Sequence, residues 1–172
     1  MQNKETDSSL LQQVVLSLLD VALKDLVAAR EREGKELSKL FSQRLDGIQQ
    51  ELTKIRERLP NMMEDMRERL RKRFADAKLD IDQTRLEQEI VLFAQKIDIA
   101  EEIDRTETHI TEIRRILQSG GVSGRRLDFI LQELNREANT LGSKSVDSVI
   151  THAAVEMKVL IEQIREQVQN VE

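Results

Sequence analysis

Cysteine is absent from all 172 residues, which excludes a disulfide framework, a thiol nucleophile and a zinc-thiolate site. Tyrosine and tryptophan are absent too, and four phenylalanines make up the whole aromatic content. Any surface on which nucleic-acid bases stack would have to come from Phe, His or Arg. No long hydrophobic run occurs: "VVL" and "VLFA" fall far short of the roughly 20 residues of a spanning helix. The polar start "MQNKETDSS" lacks the basic and apolar regions of a signal peptide, so no membrane contact and a cytoplasmic chain are expected. Nor is there a basic excess. The net charge is −5, so contact with a nucleic acid must be local and mainly to phosphates.

What is present is charge and aliphatic side chains. With 34% charged residues, 39% hydrophobic residues and one proline, the composition fits long amphipathic helices better than a sheet, and the expected fold is all-α. Leu11, Val14, Val15, Leu18, Leu19, Ala22, Leu26 and Ala29 give a first helix with a broad apolar face. A nearly heptad stripe between residues 37 and 59 predicts an antiparallel or coiled-coil-like arm projecting from a helical bundle. Pro60 should end that helix, and a basic helix with Arg67, Arg69, Arg71, Lys72 and Arg73 should follow. Those cations either solvate an exposed face, paired with Glu64, Asp65 and Glu68, or meet phosphates. One long helix is expected over 82–118, then a break at "SGGVSG". The next helix has its core at Leu127, Ile130, Leu131, Leu134, Ala138 and Leu141. After "GSKS", a last helix is expected to bury Val146, Ile150, Ala153, Met157, Leu160, Ile164, Val168 and Val171. The predicted organisation is a helical arm and linker region over 1–83 and a C-terminal helical domain over 84–172.

Two clusters could carry chemistry. In "KIDIAEEIDRTETHI", Asp98, Glu102, Arg105 and His109 share a face, while Glu101 and Asp104 approach the apolar stripe. Carboxylates beside a histidine can gather a divalent ion, and an imidazole can carry a proton near neutral pH. The alternative is a face of ordinary salt bridges. His152 reads as a packing or capping residue. In "QELNREANT", Glu133 and Glu137 lie one turn apart among Asn135, Arg136 and Asn139. That mixture fits either a buried hydrogen-bond network or a site for a phosphate or metal, since arginine matches phosphate while Glu and Asn oxygens suit Mg or Mn.

Longer words of the sequence are also familiar. "GRRLDFILQELNREANTLGSKS", followed by "VEMKVLIEQIREQVQNVE" at the C-terminus, resembles the YicC/YloC family of bacterial endoribonucleases. "TRLEQEIVLFAQKIDIAEEIDR" fits that family as well, and "AREREGKEL" more loosely, so the resemblance covers nearly the whole chain and is strongest from Arg85 onward. It implies metal-dependent endonucleolytic cleavage of RNA in the cytoplasm by a homo-oligomer, hexameric in full-length members. Full-length members also carry an N-terminal domain of sheet and helix, and these 172 residues are expected to correspond to the portion that follows it. The resemblance implies a divalent ion, Mn or Mg; the mechanistic hypothesis for this chain is that a subset of Glu102, Glu133 and Glu137 holds it, with His109 as proton carrier. Arg125, Arg126, Arg136 and Lys144 would bind RNA phosphates. The reading from a different class is a non-catalytic helical scaffold for oligomerisation and RNA docking.

Overall fold

The computed structural model describes residues 8–76, 83–96, 98–119 and 124–169, and among these there are five helices and no strand. They are α1 (Ser8–Asp76), α2 (Gln83–Lys96), α3 (Ala100–Ser119), α4 (Gly124–Lys144) and α5 (Ser148–Gln169). The all-α expectation holds. The chain divides into two compact units, Met1–Leu40 and Phe41–Glu172.

In the first unit, α1 leaves Leu10, Leu11, Val14, Val15, Leu16, Leu18, Leu19, Val21, Leu23, Leu26 and Val27 exposed. The apolar face read from the sequence is therefore uncovered within this unit. In the second unit, the stripe expected as an arm is interior: Phe41, Leu45, Ile48, Leu52 and Ile55 are buried. Ion pairs from Asp46 to Arg114 (2.7 Å) and from Arg56 to Glu107 (2.7 Å) fasten this part of α1 to α3. Against α5 it is held by close approach. A Cβ added to Gly47 would lie 2.9 Å from Cδ1 of Leu160, so the small residue lets the two helices meet.

Pro60 does not end the helix; α1 continues through it to Asp76. The missing N–H frees the carbonyl of Arg56, and both Arg56 and Pro60 are exposed, so water can take the vacant bond. Buried Ile55 and Met62 hold the turns on either side. The long helix expected over 82–118 is instead two, because Asp98 Oδ1 accepts the N–H of Ala100 (3.3 Å) and starts a new helix, whose first bond runs from Ile103 N–H to the Ile99 carbonyl (3.1 Å).

The six apolar positions predicted for α4 are all buried, and α4 packs against both α3 and α5. On α3 the stripe is Ile103, Thr106, Ile110, Ile113 and Ile116, with Leu117 half-buried. On α5 the core is Ile150, Ala153, Ala154, Met157, Ile161, Ile164 and Val168. Val146 is exposed and Leu160 half-buried, while Val171 and the glycines at 120 and 121 lie outside the described residues.

Asp147 starts α5. One of its carboxylate oxygens accepts the N–H groups of Val149 (2.9 Å) and Ile150 (3.4 Å). The other accepts Nε of Arg58 at 3.0 Å and pairs with its Nη2 at 2.9 Å, while Arg58 also pairs with Asp65. A helix cap is thereby locked to α1.

Candidate functional site

The acidic start of α3 meets the basic end of α4. Glu101 and Glu102 sit in the first turn of α3, where the exposed N–H groups favour negative charge, and Lys144 sits in the last turn of α4, where the carbonyls favour positive charge. Lys144 Nζ donates to Glu102 Oε1 (2.8 Å) and to the carbonyl of Asp98 (2.8 Å). Its bond to Glu102 is the largest cause holding the ammonium above its ordinary value, despite some desolvation. One turn along α3, Arg105 pairs with Glu101 and reaches Glu137 on α4 at 3.5 Å. The nearby charge of Glu101, then the hydrogen bond to Glu137, keep this guanidinium above its ordinary value.

The two central carboxylates are interior. Glu102 is 8% exposed and Glu137 4% exposed, whereas Glu101 and Asp104 are on the surface, so it is Glu102 rather than those two that borders the core. An open depression of about 530 Å³ lies over the cluster, lined by Asp98, Glu101, Glu102, Asp104, Arg105 and Lys144 among others. Glu102 Oε2 is buried and has no hydrogen-bond partner among the described residues. A carboxylate oxygen in that position demands a donor, a cation or water.

The remaining candidates are dispersed. Glu133 pairs with Arg136 on its own helix (3.2 Å) and does not join Glu102 and Glu137 at one point. Among the described residues, no three His, Asp or Glu side chains converge in a way that could hold a metal ion. Of the three carboxylates expected to hold an ion, Glu102 offers a buried, unpartnered oxygen, while Glu137 is paired with Arg105 and Glu133 with Arg136. His109 is half-buried on α3, two turns or about 10 Å beyond Glu102, and His152 is exposed on α5.

Of the four cations expected to bind phosphate, three are already paired: Lys144 with Glu102, Arg136 with Glu133, and Arg126 with Glu112. Glu112 also bonds Arg115, and that bond is the main reason its carboxyl is lowered from 4.5 to about 2. Arg125 is exposed, with no acidic partner among the described residues. In the basic run of α1, Arg67 lies 3.7 Å from Glu64 and 3.9 Å from Glu87, while Arg69, Arg71, Lys72 and Arg73 are exposed.

Sequence reasoning left out the Arg58–Asp147 lock. Its signal was legible in part, since an aspartate just before an apolar run is a cap signature. Arg58 and Asp147 are 89 positions apart, and nothing local links them.

The family described as "Endoribonuclease YicC-like, C-terminal" matches residues 55–172. A protein of Haemophilus influenzae named "Probable endoribonuclease YicC" is 51% identical over 169 residues, which cover 98% of this chain and 59% of that protein. A protein of Clostridioides difficile with the same name is 38% identical over 174 residues, covering 99% of this chain and 59% of its own length. The chain spans 59% of the length of these curated relatives.

Proposed function

The chain belongs to the YicC-like endoribonuclease family, and from that membership we propose that it serves hydrolytic cleavage of RNA phosphodiester bonds as the C-terminal helical portion of such an enzyme. The observation that carries the placement of the site is the buried, unpartnered Oε2 of Glu102 beneath an open depression. Lys144 holds the other oxygen of that carboxylate, and the described residues supply no partner for Oε2. A divalent ion, Mn or Mg, belongs to this reading, with Glu102 as the ligand offered here; Glu133 and Glu137 would join it only by giving up Arg136 and Arg105. Such an ion, when bound, polarises a phosphodiester and acidifies water.

In this reading the chain's own residues hold and orient the substrate. Arg125 meets a phosphate directly. Arg126 and Arg136 do so by exchanging a carboxylate for a phosphate, a bidentate match, and Lys144 by its third N–H while it keeps Glu102. Arg105 pairs with Glu137 in its buried position. His109, half-buried on α3, is the proton carrier. The assembly is a homo-oligomer, hexameric at full length, working in the cytoplasm. Among the described residues no helix is long and apolar enough to cross a membrane.

A second reading, a non-catalytic helical scaffold that oligomerises and docks RNA, is favoured by the exposed apolar side chains of α1 between residues 10 and 27. The two are separated by incubating end-labelled RNA with the chain, alone and extended to the full length of its relatives. Cleavage that stops with chelator and returns with manganese supports the enzyme. RNA binding and self-association with no cleavage in either form support the scaffold.

A further inference from the structure

Phe129 stands on the outward side of α4, with 63% of its surface exposed. Phe41 is buried and Phe74 and Phe93 are half-buried, so Phe129 is the one exposed phenylalanine among the described residues. The core stripe of α4 faces the other way and gains nothing from this ring. Helical spacing places Arg125 one turn before it, Gln132 and Glu133 one turn after it, and Arg136 two turns after it, all on the same side. The acids nearby are already engaged. Glu133 is held by Arg136, and Asp128 by Gln132 (2.7 Å) and Arg165 (3.2 Å), which leaves Arg125 as the uncompensated charge beside the ring.

The surroundings of the ring decide what fits it. A protein partner would want a contiguous apolar patch, but no other large hydrophobic side chain of α4 is exposed. A nucleobase wants one flat apolar face within a frame of amides and guanidinium groups. Arg125 and Arg136 lie about 16 Å apart along the helix, with the ring between them, so both can reach phosphates flanking a stacked base. In a paired A-form helix the base faces are closed to side chains.

Resting on the RNA reading above, we infer that Phe129 is a stacking platform for an unpaired RNA base, with Arg125 and Arg136 on the adjoining phosphates. The substrate class is then RNA with single-stranded segments rather than continuous duplex. The ring supplies what the absence of Tyr and Trp otherwise denies this chain.

The test is fluorescence anisotropy on the intact chain, with a short labelled single-stranded oligoribonucleotide and with the same strand in a duplex. Phe129→Ala weakens single-strand binding by about 5- to 150-fold, the range of one lost base–aromatic stack, and leaves duplex affinity and the melting temperature unchanged. Phe129→Trp restores binding, whereas Phe129→Leu does not. Arg125→Gln reduces the slope of log affinity against log salt by about 0.7. Equal single-strand affinity for the parent and Phe129→Ala overturns the inference while leaving the RNA reading intact. So does a change in self-association on ultracentrifugation with RNA affinity untouched, which would make the ring a protein contact. A parent chain that binds neither RNA overturns both.

Discussion

Asp147→Ala removes two supports of the bundle at once. One carboxylate oxygen caps α5 through the N–H groups of Val149 and Ile150, and the other receives Arg58 from α1. Loss of such a cap costs about 1 kcal/mol, within a range of about 0.5–2. Loss of charge-assisted bonds to a buried carboxylate costs about 1.5–3 kcal/mol, reduced here because Arg58 keeps Asp65 and some solvent. The sum is a destabilisation of about 2–4 kcal/mol, or roughly 5–15 °C in melting temperature for a chain of this size. Asp147→Asn keeps a capping oxygen and loses the charge, so it should cost about half as much. Urea unfolding followed by circular dichroism measures both. Burial alone would raise the Asp147 carboxyl, but the bond from Arg58 and those from the N–H groups of Ile150 and Val149 outweigh it and hold it below 3.8. Its contribution is therefore complete above about pH 3.8 and disappears as pH falls through the lowered value. Alanine and asparagine variants both within about 0.5 kcal/mol of the parent would refute the lock.

Glu133 and Glu137 should separate when replaced singly. Glu137→Gln, buried against Arg105, lowers stability by about 1 kcal/mol, while Glu133→Gln, in a pair along one helix, stays within about 0.5 kcal/mol, as read from urea midpoints. Glu112, lowered to about 2 chiefly by Arg115, contributes stability that is present above pH 4.5 and lost between about pH 4.5 and 2. Glu112→Gln should flatten the stability profile in that window, and an unchanged profile would exclude the Arg115–Glu112–Arg126 triad as a source of acid sensitivity.

The core of α4 was legible because its apolar positions follow the helical period without interruption, and all six are buried. The break before α3 was not, since the period runs on through residues 97–100 and only the Asp98 side chain, bonded to the Ala100 N–H, marks it. Pro60 misled in the opposite direction: a proline costs one backbone bond, and burial on both sides of it keeps α1 whole. Periodicity in α1 also could not say what covers each face, because the apolar stripe Phe41, Leu45, Ile48, Leu52 and Ile55 is interior while the equally apolar side chains between 10 and 27 are exposed. At the candidate site, the mixture of carboxylates, amides and arginine in "QELNREANT" pointed to a buried network or a ligand site, and Glu137 is buried with Arg105 as its partner. Which cation answers which carboxylate was beyond reach, because Lys144 and Glu102 are 42 positions apart and Arg105 and Glu137 are 32 apart. Helical spacing ranks neighbours within one helix. It is silent across two.

The most direct measurement is the single-turnover cleavage rate of a labelled RNA by the Glu102→Gln protein, beside its RNA affinity and melting temperature. Glutamine keeps the shape and a hydrogen bond to Lys144, but removes the charge of the carboxylate that lines the depression. The site proposed here predicts cleavage lowered by at least about 100-fold, with RNA affinity and fold retained. Cleavage by Glu102→Gln at the parent rate would contradict it.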